Sequence, residues 1–285
     1  MNNILIESSV TNKEGIHVSR EIAERTVWDK LAKENPTHAV ISAADEETAR
    51  QKSEPQIKDI KSHVSSDTVL LDLGCGYGRV AKYLLPTQRL ARYIGVDSAY
   101  EMLQLFKKRY GENIEEQSTP LTLVNADIHT LPLQEKSVDV VVVSAVFLHN
   151  HKTIVKRSIE ELKRVMKPGG TLLVYSSFPR AYTFMGLQGL LYQGLLNILG
   201  KPMKNGPVRY YTKRELNRLF SEFQQVEYVS DGFTFIPKTI IILPGVIEKL
   251  YRKGIANPLN SILEKIVPNP LKKYFAVHLD VVAKR

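Results

Sequence analysis

The hydrophobic positions between residues 65 and 178 alternate between short apolar runs and longer segments with helical spacing. The apolar runs predict strands near residues 69–73, 92–97, 121–125, 138–144 and 171–176. The helical spacing predicts helices near residues 78–85, 99–110 and 152–166. Because strands and helices alternate, we expect βαβ units and a parallel sheet.

The pattern is less regular on both sides of this segment. Residues 1–20 are polar and are expected to be loosely ordered, and residues 21–60 are predicted to be helical, with Trp28 as an apolar anchor. After residue 178, Thr212 and Glu215 have capping-box spacing and predict a helix near residues 213–222. Two further strands, near residues 225–234 and 275–283, would complete a sheet of seven strands.

The first predicted strand ends in an acid and is followed by a glycine turn. Asp72 precedes glycines at positions 74, 76 and 78, and a helix begins directly afterwards. A strand, a glycine turn and a helix N-terminus form a cradle for a nucleotide-like ligand. The turn lacks the dinucleotide spacing G-x-G-x-x-G, since Arg79 stands where the last glycine would be, and no G-K-[ST] follows. A carboxylate at this strand end disfavours phosphate and favours a cationic group.

The next two strands also end near an acid. Asp97 lies 23 residues after Gly74, close to the offset at which an acid binds ribose hydroxyls. Asp127 follows the strand at residues 121–125. Parallel strands present their carboxyl ends at one edge of the sheet, where ligands bind. A ribose, an adenine amine and a cationic amino-acid tail would together satisfy the three acids.

These segments resemble the class I S-adenosylmethionine-dependent methyltransferases. The resemblance covers about residues 65–178, and its last part is similar to the family's R-V-L-K-P-G-G turn before the fifth strand. It rests on the segments Asp72–Gly78, Gly95–Asp97, Asn125–Asp127, Val138–Val141 and Leu162–Gly170. It implies a doubly wound, mostly parallel seven-stranded α/β sheet with N-terminal helices and C-terminal helical insertions, and S-adenosylmethionine as the cofactor.

The resemblance also implies roles for individual residues. Gly74, Cys75, Gly76 and Gly78 would approach the methionine part of the cofactor, with Asp72 near its ammonium group. Asp97 would hold the ribose hydroxyls, and Ser98 would lie beside it.

The remaining cofactor positions follow from the same resemblance. Asp127 would accept from the adenine amine, and the Ile128 backbone amide would lie at the ring. Met102 would pack on the adenine face and Ser144 would lie beside the methionine portion. Core packing of Met102 and a strand-end turn role for Ser144 remain alternatives.

Three parts of the chain are expected from these patterns. Residues 1–64 form a helical segment that covers the cofactor, with Trp28 either over the pocket or in the core. Residues 65–178 form the cofactor-binding core, and residues 179–285 add insertions and the last two strands of the same sheet.

Composition restricts the chemistry. The single cysteine, Cys75, excludes an internal disulfide and a multi-cysteine metal site, and we expect no metal. Its place within the glycine turn favours packing over nucleophilic chemistry. No N-terminal apolar segment resembles a signal peptide, so a cytoplasmic location is expected.

The net charge of +9 is concentrated in the C-terminal part. Residues 179–285 contain 16 Lys and Arg against 7 Asp and Glu, whereas residues 1–178 contain 23 of each. This asymmetry indicates an anionic partner such as a membrane surface, a nucleic acid or an acidic substrate, or it serves solubility alone.

Two insertions in the C-terminal part are expected to determine the acceptor. Residues 181–200 contain no charge, and residues 236–273 combine an apolar run with clustered basic residues. Three alternatives remain open: the insertions pack on the sheet edge and on each other, they cover a hydrophobic substrate, or they contact a membrane or lipid.

A catalytic base is not conspicuous. His149 follows the fourth strand, near the place where the family binds the acceptor, and it is the candidate base, although a structural histidine is the alternative. Its spacing from His151 is not a metal signature. Tyr210 and Tyr211 either line the acceptor pocket or anchor an insertion by packing, and Arg180 either contacts an anionic acceptor or is a solvated charge.

The expected function is methyl transfer from S-adenosylmethionine to oxygen or carbon of a small, hydrophobic or lipid-linked acceptor. No Asn-Pro-Pro-Tyr or Asp-Pro-Pro-Tyr tetrapeptide follows the fourth strand, which argues against methylation of nucleobase amines. An RNA methyltransferase is the first rival, although no RNA-binding module is evident, so a nucleic-acid partner is not favoured. A cofactor-binding adaptor subunit without activity is the second rival.

Overall fold

A computed structural model of the 285-residue protein describes residues 9–11, 17–19, 46–111, 119–200, 208–233, 255–268, 271 and 274–285. The strands in this part of the chain are β1 (Ser9–Thr11), β2 (His17–Ser19), β3 (Val69–Leu73), β4 (Arg92–Asp97), β5 (Leu121–Asn125), β6 (Val138–Ser144), β7 (Met166–Pro179), β8 (Gln224–Phe233) and β9 (Ala276–Lys284). The helices are α1 (Glu46–Ser62), α2 (Arg79–Leu84), α3 (Tyr100–Phe106), α4 (Lys152–Val165), α5 (Phe184–Ile198), α6 (Lys213–Leu219) and α7 (Ala256–Ile266). A π-helical turn (Lys107–Gly111) extends α3, and a 3₁₀ turn (Phe147–His149) precedes α4.

All nine of these strands join one sheet in the order β1-β2-β5-β4-β3-β6-β7-β9-β8. Strands β5, β4, β3, β6 and β7 run parallel, and β9 lies antiparallel between β7 and β8. The strand order reverses between β3 and β6, which pair directly. In an open α/β sheet, such a reversal opens a crevice at the carboxyl ends of the strands.

Apolar side chains cover both faces of the sheet. Leu71 and Leu73 of β3 belong to one buried cluster, which also includes residues of α4 and α6. Leu70 of the same strand belongs to a second cluster with residues of α1 and α2. Since successive residues of a strand point to opposite faces, the unbroken apolar run of β3 fills both layers.

The seven predicted strands are confirmed, and their bounds agree with the prediction closely except in β7. That strand begins at Met166 rather than at residue 171, because Val138 of β6 already pairs with Met166. The Thr212 capping box is present and begins α6, which ends at Leu219 rather than at residue 222.

The structure differs from the prediction for residues 1–20. The expectation that residues 1–20 are loosely ordered is wrong for residues 9–11 and 17–19, which form an antiparallel pair that adds to the edge of β5. Three-residue strands carry too little periodicity to be read from sequence, and pairing with β5 defines them. Of the predicted helices in residues 21–60, α1 is described, whereas Trp28 lies outside the described residues.

Candidate functional site

The glycine turn is fixed by backbone hydrogen bonds to the neighbouring strand. The N–H groups of Gly74 and Cys75 both donate to the Val96 carbonyl oxygen, at 2.7 and 3.0 Å. Gly74, Gly76 and Gly78 have φ angles of +72°, +54° and +86°, a region that residues with a Cβ rarely adopt. The turn therefore needs glycine at all three positions.

The three glycines differ in what surrounds them. A Cβ on Gly74 would lie 2.3 Å from the Val146 side chain, and one on Gly78 would lie 2.4 Å from the Phe106 ring. A Cβ on Gly76 would meet no atom of the described residues within 4 Å. Gly74 and Gly78 thus serve close packing, whereas Gly76 borders open space that a ligand can fill.

Asp97 is held rigidly at the end of β4. Its carboxylate accepts from the Gly76 N–H through Oδ2 and from the Ala99 N–H through Oδ1, both at 2.8 Å. The Asn125 side chain donates to the carbonyl oxygens of Asp97 and Ser98, both at 2.9 Å. Asn125 is a positioning residue that sequence reasoning missed, although it stood within the quoted Asn-Ala-Asp motif.

Polar groups at the end of β5 remain available to a ligand. The Asp127 carboxylate and the Ile128 N–H make no hydrogen bond within the described part of the chain, and Asp127 is only partly buried. An adenine amine and ring nitrogen need one acceptor and one donor, which these two groups supply. Met102 of α3 is buried but belongs to neither large apolar cluster, so the structure leaves its adenine-face role as a prediction.

Asp72 lies beneath the turn rather than in the open crevice. Its side chain is buried, and the Tyr93 hydroxyl donates to its Oδ2. Burial raises the pKa of Asp72 to about 6, against the opposing effects of the Tyr93 hydrogen bond and the Arg79 charge. Contact between Asp72 and the cofactor ammonium stays a prediction.

Arg79 forms a polar cluster with Ser144. The sequence analysis missed this role, because there Arg79 served only as evidence against the dinucleotide pattern. Its guanidinium is buried and donates to Ser53 Oγ at 3.1 Å, to Gln56 Oε1 at 2.8 Å and to Ser144 Oγ at 2.6 Å. Gln56 Nε2 also donates to Ser144 Oγ at 2.8 Å. Ser144 therefore links α1, α2 and the carboxyl end of β6, and is not merely a turn residue.

Cys75 is a packing residue in this structure. Its thiol is buried, and burial raises its pKa well above the ordinary value, which suppresses the thiolate form. A Cβ on Gly95 would lie 3.0 Å from the Cys75 sulfur, so Gly95 makes room for it.

His149 and His151 have different roles in the connection between β6 and α4. His151 caps α4, where its Nδ1 lies 2.8 Å from Thr153 Oγ1 and accepts from the Thr153 N–H. His149 ends the preceding 3₁₀ turn, and burial lowers its pKa. A lowered pKa keeps the imidazole neutral at pH 7, the form that accepts a proton.

The two tyrosines anchor the first insertion. Tyr211 is buried with its ring 5.0 Å from Phe178, and its backbone bonds to Pro179 and Ala181. The Tyr210 hydroxyl lies where a Cβ on Gly189 of α5 would be, at 1.7 Å, so that α5 rests on it. Burial raises the pKa of both phenols, which therefore stay protonated at neutral pH and leave His149 as the candidate base.

Arg180 follows β7 and is half-buried, which differs from a freely solvated charge. Burial lowers its pKa, and its backbone pairs with β9 and with the Tyr211 segment. Its side chain lies at the same sheet edge as the carboxyl end of β6, because β6 and β7 run parallel.

Helix α5 carries its apolar residues on the outer face. Its Gly186 and Gly189 approach residues 180 and 210, and Gln193 Nε2 donates to the Val208 carbonyl oxygen at 2.9 Å. The opposite face is exposed, with exposed fractions of 66% for Leu191 and 84% for Ile198. Its other exposed apolar residues are Phe184, Leu187, Leu190 and Leu195. A helix packed by its leucines would show the reverse arrangement.

A second exposed apolar stripe lies on residues 255–266, which comprise α7 and the residue before it. Ile255, Leu259, Ile262 and Ile266 recur at helical spacing and are all exposed, Ile266 by 70%. The Phe184 N–H at the start of α5 donates to the Tyr274 carbonyl oxygen beside β9, which follows α7 in the chain. Helix α5 and the segment that contains α7 thus each have an exposed apolar stripe.

None of the helices in the described ranges has the length and apolarity needed to cross a bilayer. Among the residues described above, no three His, Cys, Asp or Glu side chains gather into a possible metal site. Of the second insertion, at residues 236–273, residues 236–254, 269–270 and 272–273 lie outside the described ranges.

Parts of the chain are similar in sequence to known methyltransferases. A 102-residue stretch is 34% identical to phthiotriol/phenolphthiotriol dimycocerosates methyltransferase of Mycobacterium tuberculosis, covering 35% of this chain and 34% of that protein. A 112-residue stretch is 32% identical to fatty-acid O-methyltransferase of Mycolicibacterium smegmatis, covering 39% and 38% respectively. The chain thus spans about a third of the length of these two relatives.

A solved structure agrees in fold. An S-adenosylmethionine-dependent methyltransferase from Archaeoglobus fulgidus superposes with a TM-score of 0.53 at 15% identity, covering 83% of this chain and 94% of that one. The sequence profile of the methyltransferase domain family matches residues 71–174, which contain the glycine turn, Asp97, Asp127 and Ser144. Residues 71–174 therefore match the methyltransferase domain family, and the fold of the chain agrees with this match.

Proposed function

We propose that the protein is an enzyme that transfers a methyl group from S-adenosylmethionine to oxygen or carbon of an apolar, lipid-like acceptor. The observation that carries the proposal is the outward apolar face of α5, which begins five residues after the carboxyl end of β7, at the cofactor edge of the sheet. Two relatives, named for dimycocerosates and for fatty acids, support this acceptor class.

The residues of the crevice fit the cofactor. Gly76 borders open space, Asp97 offers a fixed carboxylate to the ribose, and Asp127 with Ile128 offers an acceptor and a donor to the adenine. When bound, S-adenosylmethionine supplies an electrophilic methyl group. What the chain adds is alignment of the acceptor and exclusion of water.

His149 is the proposed general base for a hydroxyl acceptor. Its burial keeps the imidazole neutral, and its 3₁₀ turn begins three residues after Ser144, the last residue of β6. A base at this place would take the acceptor proton as the oxygen–methyl bond forms.

The location proposed for the enzyme is the cytoplasm, peripheral at a membrane. The exposed stripes of α5 and the α7 segment form the apolar part of an interfacial surface, and the surplus of nine positive charges in residues 179–285 favours an anionic lipid face. Vesicle flotation tests this location. Binding to anionic vesicles that weakens with salt is expected, and failure to bind vesicles of either charge would contradict it.

The activity is tested by following a labelled methyl group. The purified protein is incubated with methyl-labelled S-adenosylmethionine and, separately, with the lipid, RNA and protein fractions of its source cell. Label in long-chain molecules of the lipid fraction is expected, and the variant Asp97→Ala should lose it. Label in RNA would favour the RNA methyltransferase, while cofactor binding without transfer to any fraction would favour the adaptor subunit.

A further inference from the structure

We infer that Arg209 and Tyr211 form a binding site for an anionic oxygen group, a carboxylate or a phosphate, at the polar end of the acceptor. The inference rests on the proposed methyl transfer to a lipid-like acceptor and deepens it, because it makes that acceptor an anionic amphiphile. Both residues lie outside the part of the chain that matches the methyltransferase domain family.

Two polar groups of this segment are buried without a hydrogen-bond partner. Tyr211 is 4% exposed, and its hydroxyl oxygen has no partner among the described residues. The Nε atom of Arg209 is likewise buried without a partner there. Within the same ranges, no carboxylate forms a salt bridge with this guanidinium. A buried donor that lacks an acceptor is costly, so a ligand that supplies one would bind favourably.

The backbone brings the two side chains to one side of the segment. The Arg209 N–H donates to the Leu148 carbonyl oxygen at 2.8 Å, and the Tyr211 N–H donates to the Pro179 carbonyl oxygen at 2.7 Å. Alternate residues of an extended segment point to the same side. Tyr210, between them, contacts α5 on the other side.

Electrostatics also places the guanidinium near the phenol. Burial and the charge of Glu215 raise the pKa of Tyr211, and the charge of Arg209 opposes them. The phenol therefore stays protonated at neutral pH and can donate its hydrogen bond together with Arg209.

The site lies at the carboxyl end of the sheet, where ligands of parallel strands bind. Leu148, which accepts from the Arg209 backbone, directly precedes the proposed base His149. Pro179, which accepts from the Tyr211 backbone, is the last residue of β7. Helix α5 rests on Tyr210, so the polar site and the exposed apolar face of α5 lie on neighbouring parts of the same insertion. This insertion can therefore bind the two ends of an amphipathic molecule.

The donors indicate the chemistry of the ligand. A guanidinium N–H and a phenol O–H both donate, and hydrogen bonds between charged groups are stronger than neutral ones. The Lys152 Nζ lies 4.9 Å from the centre of the Tyr211 ring and adds positive charge, although Glu215 pairs with it at 2.6 Å. Two donors in a positively charged environment favour an anionic oxygen group and disfavour an amine.

The test compares decanoic acid, decyl phosphate and the neutral decanol, which share one alkyl chain. Dissociation constants are measured by calorimetry with S-adenosylhomocysteine present and with each probe below its micelle-forming concentration. The wild type should prefer at least one anionic probe over decanol by roughly tenfold or more. A preference for decanoic acid alone identifies a carboxylate site, and a preference for decyl phosphate alone identifies a phosphate site.

Three variants show which residues carry the preference. Tyr211→Phe and Arg209→Met should both reduce it towards unity and leave the affinity for decanol unchanged. The control is Arg214→Met, which removes the same charge from an exposed position on α6 and should keep the full preference.

The other outcomes contradict the inference in distinguishable ways. Equal affinity of the wild type for the anionic probes and decanol overturns it and leaves the lipid-like acceptor standing. Preservation of the full preference in Tyr211→Phe or in Arg209→Met also overturns it. Binding of none of the three probes overturns it together with the lipid-like acceptor of the proposed function.

Thermal unfolding separates a binding role from a structural one. Because the Tyr211 hydroxyl has no partner in the described part of the chain, Tyr211→Phe should not destabilise the ligand-free protein. A lower Tm in this variant with an unchanged preference would assign the hydroxyl a structural role and overturn the inference. If Arg209→Met fails to fold, Arg209→Lys takes its place and should reduce the preference partially, since lysine keeps the charge and lacks the planar fork.

Discussion

The cofactor domain and the C-terminal part direct their side chains in opposite ways. In residues 65–178, polar groups such as Asp97 and Arg79 lie inside, each held by hydrogen bonds, and apolar residues fill both faces of the sheet. In α5 and α7, apolar residues point outward, and the glycine and glutamine face of α5 packs inward. Under the proposed function, the strand ends would bind the cofactor, whereas the insertions would bind the acceptor.

The two regions also differ in charge. The chain up to residue 178 is neutral in sum, and the surplus of nine positive charges lies after it. A neutral domain with internal ion-binding groups suits a small cofactor, and a basic, apolar exterior suits an amphipathic acceptor. A substitution in one region should leave the function of the other region unaffected.

The largest effect is expected for His149→Gln. Loss of a positioned general base should lower kcat for a hydroxyl acceptor by roughly 10²- to 10⁴-fold, with little change in cofactor affinity. The wild-type kcat should rise with pH through the lowered pKa of His149 and then stay level through neutral pH. The control is His151→Asn, because asparagine keeps the cap of α4. A similar loss of kcat in both variants would assign His149 a structural role.

Asp97→Ala should weaken cofactor binding strongly. It removes the acceptor of two backbone N–H groups together with the proposed ribose contact, and a hydrogen bond to a charged group contributes about 1.5–3 kcal/mol. A loss of roughly 10- to 100-fold or more in affinity is expected by calorimetry. The exposed Asp67→Ala serves as the control, and unchanged affinity in Asp97→Ala would contradict the site.

Asp72→Asn should stabilise the protein at neutral pH. The folded state raises the pKa of this acid from 3.8 to about 6, so the folded state binds the proton more tightly than the unfolded one. Stability is therefore full below pH 3.8 and falls as pH rises to about 6, with a cost on the order of 3 kcal/mol above that. Asparagine avoids this cost and still accepts from Tyr93.

Denaturant unfolding at pH 5 and pH 8 checks this prediction. The gain in unfolding free energy from Asp72→Asn should be larger at pH 8 than at pH 5. Equal gains at both values, or a loss at pH 8, would show that Asp72 does not carry the raised pKa.

The smallest effects distinguish the two faces of α5. Gly189→Ala places a Cβ 1.7 Å from the Tyr210 hydroxyl, so α5 or Tyr210 must shift and the KM for the acceptor should rise. Adding Tyr210→Ala removes both the hydroxyl and the ring carbon Cζ, which lies 2.5 Å from that Cβ, and should relieve the clash. Gly194→Ala lies in open space on the same helix and should stabilise it by up to about 1 kcal/mol. Equal thermal shifts for the two alanine variants would mean that α5 does not rest on Tyr210.

Sequence patterns predicted the cofactor region well because local signals and tertiary structure agree there. Buried parallel strands have unbroken apolar runs in the sequence, and the glycines at positions 74, 76 and 78 predict the turn. Strands β1 and β2 were missed because three residues carry no periodicity, and the roles of Arg79 and Gln56 were missed because partners 23 residues apart leave no mark in one sequence. The outward face of α5 could not be predicted, since its spacing fits either orientation and Tyr210 decides between them.

The variant Leu191→Gln/Ile198→Gln tests most directly whether residues 65–178 bind the cofactor while the C-terminal part binds the acceptor. The affinity for S-adenosylhomocysteine and the kcat/KM for a long-chain fatty acid and for its short-chain homologue are measured beside the wild type. Because burial of one such side chain contributes about 1.5–3 kcal/mol, kcat/KM for the long-chain acceptor should fall by at least about tenfold. Cofactor affinity and short-chain turnover should not change. An unchanged long-chain kcat/KM, or a loss of cofactor binding, would contradict the account.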